Sequence, residues 1–344
     1  MSHLLVTGGS GFFGGVMKRR LLREGHTCVN LDLLPDTDQH PQLTSVQGDI
    51  RDEQLLAQLF KQHGFDGVIH CAAQLAHGKI DSELLWTSNV DGTRNIAEAC
   101  RHAGVRKLVF ISTNCLWASN LGHPVQESEP PNPIEIYGKS KQAAEQELTA
   151  YSDLDIVTLR PPTIIDSGRL GLLAILFEFM NDGNTIWVVG SGENRYQFIY
   201  AEDLATACLL ALDYKGSEIF HIGSDQVKSL REVYEAVIRK AGSRSRVRSL
   251  PKWPTLTAMK LAHILKVSPL GPYHYRMIAE DFLFDTTRAQ VKLGWKPTMT
   301  NEEMLTRAYQ YYAERRNEIH ARTDSSAHSK PAAMGAIRLL KWLS

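Results

Sequence analysis

The sequence predicts an α/β fold, a doubly wound parallel sheet followed by a smaller C-terminal part. Three observations carry the prediction. Short apolar runs of strand type alternate with segments of helical period from Leu4 to Ile222. The first run, Leu4-Leu5-Val6, breaks into a glycine series, Gly8-x-x-Gly11-x-x-Gly14, where the backbone must turn sharply. At the end of a later run, Ser112-Thr113-Asn114 places hydroxyls where sheets of this class open their crevice.

The glycines lead into a helix that opens at Phe12, Phe13 and Gly14, and bare amides at a helix N-terminus suit a diphosphate. Strand, glycines and helix in that order form the context a dinucleotide fingerprint requires, with a plain turn as the alternative. Val16 to Glu24 has helical spacing, and Gly25 ends it. The next strand, Thr27 to Leu31, ends at Asp32, about 20 residues beyond the glycines, where a carboxylate accepts the ribose hydroxyls of the adenosine half. Such a carboxylate repels a 2′-phosphate and no arginine follows within Leu33 to Asp36, so NAD is favoured, with NADP left open. A solvent-facing aspartate is the plainer reading.

A third strand, Leu43 to Gln47, runs into Gly48-Asp49-Ile50, placed to hold the adenine edge and face, before a helix from about Asp52 to His63. Val68 to Cys71 is the fourth strand, and the small Ala72 and Ala73 let a ligand approach the backbone. A long helix through Asn89 to Ala103 follows. Asn89 sits among apolar and small residues, so it either kinks or caps the helix or braces the catalytic loop. Lys107 to Ile111 is the fifth strand. After an acidic, Pro-rich loop, Tyr137-Gly138-Lys139-Ser140-Lys141 opens a helix in which Tyr137 and Lys141, four apart, share a face.

Leu154 to Leu159 is a sixth strand closed by Arg160-Pro161-Pro162, because proline cannot donate to the ladder. Leu170 to Asp182 reads as helix, Phe198 to Tyr200 as a short strand, Ala201 to Leu212 as helix and Ile219 to Ile222 as a last strand. Ser229 to Ala241 is an amphipathic helix, Arg244, Arg246 and Arg248 read as a solvated face, and a final helix spans about Asn301 to Ile319. The tail after His320 has the composition of a disordered segment through Ser329. Ala333, Ile337, Leu340 and Leu343 then share a stripe beside Arg338 and Lys341, so 332–344 either lies on an anionic membrane or a partner, or is a frayed or self-packed end.

Lys plus Arg equals Asp plus Glu at 38 each, so no global field favours nucleic acid, and none is expected as a partner. With 344 residues the chain buries a full core. Cys28, Cys71, Cys100, Cys115 and Cys208 show no close pairing, and the absence of a fitting signal peptide agrees with a reducing, cytoplasmic compartment. Leu170 to Met180 is too short to span a bilayer, and the thirteen histidines show no metal-ligand spacing, so no metal is expected.

A hydride acceptor beside a hydroxyl-bearing substrate needs a base for the hydroxyl proton, and Tyr137 is the candidate. Lowering a phenol from ~10 toward ~7 takes roughly 4 kcal/mol, which Lys141 and a positive nicotinamide ring are expected to supply. Thr113 would orient the reacting oxygen. Otherwise Tyr137 and Lys141 form an ordinary surface pair.

Thr7-Gly8-Gly9-Ser10-Gly11-Phe12-Phe13-Gly14, Asp32, Asp49, Asn89, Ser112-Thr113 and Tyr137 with Lys141 together resemble the extended short-chain dehydrogenase/reductase superfamily, from the first strand to about residue 320. The resemblance implies a Rossmann domain (1–165, with 196–225 returning to it), a smaller substrate-binding domain (166–195 and 226–320) and a tail at 321–344. It implies catalysis by Thr113, Tyr137 and Lys141. It also implies NAD held by Gly8, Gly11, Phe12, Phe13, Gly14, Asp32, Asp49, Ile50, Ala72, Ala73, Asn89, Tyr137, Lys141 and Pro162. A homodimer through the helices near Leu84 to Ala103 and Ile136 to Tyr151 is a further implication.

Within the superfamily, sugar 4,6-dehydratases carry Asp-Glu after the catalytic Thr, whereas this chain has Asn114-Cys115. Sugar 4-epimerases hold a diphosphate with an Arg two residues before the aromatic of the strand at Phe198, where this chain has Tyr196, with Arg195 beside it and Arg276 as a further candidate. The apolar stretch Leu256 to Leu270 and Leu293-Gly294-Trp295 are similar to lipid-linked sugar epimerases and 3β-hydroxysteroid dehydrogenases. The expectation is an NAD-dependent epimerase of a nucleotide- or lipid-linked sugar, at C4, with a dehydrogenase or ketoreductase of a lipophilic alcohol as the alternative. An NAD-reading sensor without chemistry is disfavoured by the intact Tyr and Lys. Specificity is assigned to the loops Gln74 to Ser82, Ser167 to Leu172 and Pro251 to Tyr275.

Overall fold

The computed structural model describes residues 1–76, 81–117, 121–265, 271, 275 and 277–321. Arg276, the stripe at 332–344, and parts of the specificity loops after Gln74 and after Pro251 lie outside the described residues.

In chain order the first half contains β1 (His3–Thr7), α1 (Phe12–Arg23), β2 (Thr27–Asp32), β3 (Leu43–Gln47), α2 (Glu53–His63), β4 (Gly67–His70), α3 (Ser82–Trp86), a π turn (Thr87–Asp91), α4 (Gly92–Ala103), β5 (Lys107–Ile111), α5 (Ile136–Leu148) and β6 (Asp155–Arg160). The second half adds β7 (Thr163–Ile165), α6 (Leu173–Asn181), β8 (Ile186–Val189), β9 (Phe198–Tyr200), α7 (Ala201–Asp213), β10 (Glu218–His221), α8 (Leu230–Ala241), β11 (Val247–Leu250), α9 (Lys252–Ile264), α10 (Thr287–Lys292), α11 (Asn301–Glu314) and α12 (Arg316–Ala321).

Seven strands form one parallel sheet in the order β10-β6-β5-β4-β1-β2-β3. The chain winds outward from β1 in one direction and from β4 in the other, so the crevice opens at the carboxyl ends of these two strands. Apolar clusters cover both faces, one around Leu4, Met17, Val109 and Phe220, the other around Leu5, Phe60, Ile96 and Phe110. Continuous apolar strands such as β5 and β6 are what two covered faces require. A third cluster, around Phe177, Tyr196, Val233, Met304 and Tyr312, fills the lobe built on α6, α8, α11 and two small parallel pairs, β7-β9 and β8-β11.

Several elements depart from the sequence expectation. The helix carrying Asn89 begins at Ser82, because Asp81 caps it by accepting from the Glu83 and Leu84 amides. β7, β8 and β11, at three or four residues, are too short to announce themselves by periodicity. α6 starts at Leu173 rather than Leu170, after the left-handed Gly171 (φ 51°). Part of the stretch assigned to a loop after Pro251 is α9, and the final helix divides at Arg315 into α11 and α12. Among the described residues no helix is long and apolar enough to cross a membrane.

Candidate active site

The crevice begins at the turn between β1 and α1. Gly8 has φ +74°, and a Cβ there would lie 2.8 Å from the Ala72 backbone, so the turn rests directly on the chain leaving β4. A Cβ on Gly14 would lie 2.1 Å from the Gly8 carbonyl oxygen. Gly11 caps α1 with no side-chain hydrogen bond, and the first turn holds no acidic residue, so no carboxylate of that turn opposes the positive end of its dipole. The Phe13 ring belongs to the core, leaving its backbone to face the turn. These features fit the diphosphate of a dinucleotide.

Asp32, at the end of β2, is folded onto the same turn: its carboxylate accepts from the Ser10 amide (2.9 Å) and the Leu34 amide (2.8 Å). Sequence reading missed the residue beneath it. Buried Asn30 accepts from the Gly9 amide (2.9 Å) and donates to Ser10 Oγ (3.1 Å) and Asp36 (2.8 Å). Asp36 in turn pairs at 2.5 Å with Lys18, which is 1% exposed on α1. The one visible sign was a polar residue within the apolar strand Cys28-Val29-Asn30-Leu31.

At the position expected from the sequence to hold the adenine, Arg51 clamps the Asp49 carboxylate (2.6 Å) and holds it below its usual titration range. Ile50 is buried against Gly92, where a Cβ would come within 2.6 Å of its side chain, and Asn95 donates to the Ile50 carbonyl (3.4 Å). An open groove of about 750 Å³ lined by Asp49, Arg51, Thr87, Arg94 and Asn95 lies at this end, away from Tyr137.

Asn89 lies on the π turn. It accepts from the Gln74 amide (2.7 Å) and donates to the Gln74 carbonyl (3.0 Å) and to Ser140 Oγ (2.9 Å), linking the loop after β4 to α5. Ser140 donates onward to the Tyr137 carbonyl (2.8 Å). Thr113, past the end of β5, hydrogen-bonds the Tyr137 phenol and also accepts from the Cys115 amide (3.1 Å). Pro162 is buried at the β6–β7 junction and Ala73 follows Ala72 at the mouth.

Burial dominates the electrostatics of Tyr137 and Lys141. Burial holds the Tyr137 phenol above its usual value, opposed by the Thr113 hydrogen bond and the Arg169 guanidinium. The Lys141 ammonium stands 4.0 Å over the Phe110 ring on the sheet side, and burial pushes it down to about 7, with Glu145 acting the other way. Glu145 is itself fixed by Arg160 (2.5 Å) and Ser112 (2.5 Å), partners from β6 and the end of β5.

Lys141 therefore leaves a pH signature. Below about 7 it is protonated folded and unfolded; between about 7 and its ordinary 10.5 only the unfolded chain keeps the proton, so stability rises with pH across that window. Lys141→Met should raise Tm relative to wild type most at pH 6 and least at pH 9 in differential scanning fluorimetry. A gap constant with pH would show that Lys141 is not desolvated as described.

A second cation went unrecognised in the sequence. Arg169, between β7 and α6, places its guanidinium 5.7 Å from the Phe12 ring and interacts with the phenols of both Tyr137 and Tyr196. Among the described residues no carboxylate forms an ion pair with it. Tyr196 is 1% exposed and its phenol accepts from Asn114 (2.8 Å) and meets Thr163 Oγ1 (3.3 Å). Arg195, the candidate beside it, is exposed, because alternation along the extended chain sends it away from the site.

The family model for the NAD dependent epimerase/dehydratase family matches residues 4–223. The chain belongs to that family. It is an NAD-dependent enzyme of the epimerase and oxidoreductase type, and the glycine turn, the helix end without an acidic residue and Asp32 fit that cofactor. A model for GDP-mannose 4,6 dehydratase matches 174–308, which excludes the Thr113 loop. Among relatives of this family member, the uncharacterized protein y4nG of Sinorhizobium fredii is 36% identical over 98% of this chain and 85% of its own length. A UDP-glucose 4-epimerase of Streptomyces lividans is 32% identical over 69% of this chain and 80% of its own. The fold is similar to the crystal structure of UDP-glucose 4-epimerase from Thermotoga maritima, with a TM-score of 0.75 and 24% identity over 91% of this chain and 99% of that one.

Proposed function

We propose that the enzyme inverts a ring carbinol, at C4, of a sugar linked through a diphosphate to a nucleotide or a lipid, by way of a transient ketone. The observation that supports this reading is Arg169, a cation beside Tyr137 with no carboxylate partner among the described residues. An anionic substrate group compensates it; a neutral sterol-like alcohol leaves it uncompensated in a partly buried site. Asn114-Cys115 after Thr113 provides no acid for water elimination, which argues against dehydration.

Under this reading Tyr137, as phenolate, takes the proton of the sugar hydroxyl while Thr113 holds the same oxygen. NAD, which the Gly8 to Gly14 turn and Asp32 would hold, would supply reversible hydride-acceptor chemistry at the carbinol carbon. The ketone turns over in the crevice, and Tyr137 gives the proton back to the oxygen of the inverted carbinol, so no net NADH forms. Arg169 tethers the anionic end while the ring rotates and favours the phenolate. Asn89, through Ser140, keeps the Tyr137 backbone in register with the sheet. Pairing of two copies through α3, α4 and α5 belongs to the same proposal.

The test is incubation with UDP-glucose and UDP-galactose, following the anomeric protons by NMR and absorbance at 340 nm. Interconversion without accumulated NADH is expected, with Arg169→Gln raising KM at least tenfold while bound NAD is unchanged. Net NADH formation with a lipophilic alcohol, and none of the interconversion, would overturn the proposal in favour of a dehydrogenase.

A further inference from the structure

α9 is a helix of 13 residues in which no residue is buried. Trp253 is 78% exposed, Leu261 55%, Ile264 64% and, just past its end, Leu265 69%. At 100° per residue these four side chains fall within about 120° of the helix circumference, a stripe as wide as helices normally bury against a core. None of the three apolar clusters includes a residue of α9.

The charge around the stripe is of one sign. Between Glu235 and Glu280 the sequence has no aspartate or glutamate and nine lysines and arginines, in a chain whose totals are 38 and 38. Arg244, Arg246 and Arg248 are exposed at a spacing of two on the way through β11, and Lys252 and Lys260 follow on α9. None of these five forms an ion pair among the described residues, although the rest of the surface is rich in them.

We propose that α9, with the arginine row leading into it, is a docking surface for an anionic lipid bilayer. An apolar stripe edged by lysine, beside a basic face, is complementary to acyl chains bounded by anionic headgroups. Other occupants match less well. A second copy would set positive against positive. The chain's own segment 322–344 holds Arg322, Lys330, Arg338 and Lys341 against the single Asp324, a charge of the same sign as this face. A polyanion in water would neutralise the arginines and leave Trp253, Leu261 and Ile264 wet. Docking in this way brings the lobe of α6, α8 and α11 to the membrane, and it stands whether or not the epimerase reading does.

Flotation of the full-length, NAD-loaded protein with vesicles of phosphatidylcholine and phosphatidylserine (70:30) tests this against vesicles of phosphatidylcholine alone. Flotation with the anionic vesicles only, falling at least fivefold from 0.05 to 0.5 M salt, is expected. The triple variant W253S/L261S/I264S and the variant R244E/R246E/R248E should each lower the bound fraction at least tenfold, with circular dichroism and bound NAD unchanged. A chain truncated after Ala321 should still bind. Equal binding to both vesicles, wild-type binding by either variant, or loss of binding on truncation alone would overturn the proposal. So would a mass in solution that is a dimer for wild type and a monomer for W253S/L261S/I264S, because a second copy would then be the occupant.

Discussion

Tyr137→Phe should retain the fold and the bound NAD while lowering kcat by about 10³, within the range that a positioned acid or base contributes. In activation free energy that is about 4 kcal/mol. The substitution removes one oxygen and leaves the ring in place. Thr113, its partner, still accepts from the Cys115 amide, so its oxygen keeps a hydrogen bond. Burial holds the phenol above its usual value in this structure, and the Arg169 guanidinium works against that shift. Turnover by NMR, with NAD counted after denaturation, separates loss of chemistry from loss of cofactor. A Phe variant with full turnover would remove Tyr137 from the reaction.

Gly14→Ala should do the reverse, costing fold and cofactor together. The added Cβ would sit 2.1 Å from the Gly8 oxygen, 2.7 Å from its carbonyl carbon and 3.0 Å from Gly9 Cα. All three are backbone, so no rotamer relieves the overlap and α1 must move off β1. The cost belongs at the upper end for overpacking, about 3 kcal/mol, or a fall in Tm of about 6–12 °C. Gly104→Ala is the control: its φ is +73° and nothing lies within 4 Å of the new Cβ. Backbone strain alone, ~1 kcal/mol, is expected there, with NAD content intact. If Gly14→Ala melts no lower than Gly104→Ala and keeps its NAD, the close approach of strand and helix is not what fixes this turn.

These two sites were legible in the sequence because their constraints are local. Gly8, Gly11 and Gly14 are demanded by one turn, and Tyr137 and Lys141 by one helical face. The residues that sequence reading missed are joined across the fold. Lys18 meets Asp36 from another element, Glu145 meets Arg160 and Ser112 from strands on either side of a crossover, and Arg169 reaches Phe12 from the far side of the crevice. Nothing in the spacing of Ser167-Gly168-Arg169 distinguishes an active-site cation from a surface one. The Tyr137 and Lys141 pair has a related character: adjacency on a helix is visible in a sequence, whereas the burial that raises the phenol and lowers the ammonium belongs to the packed fold.

The π turn at Thr87–Asp91 gives the helix of Asn89 a particular history. A π turn has the geometry of one residue inserted into a regular helix, accommodated as a bulge instead of being carried to either end. Deleting one residue between Thr87 and Asp91 would restore a uniform helix with both flanks still in phase, so that only the bulge itself would be lost. Asn89 would then no longer face both Gln74 and Ser140. The bulge thus gives Asn89 its two-sided reach without turning α3 against α4.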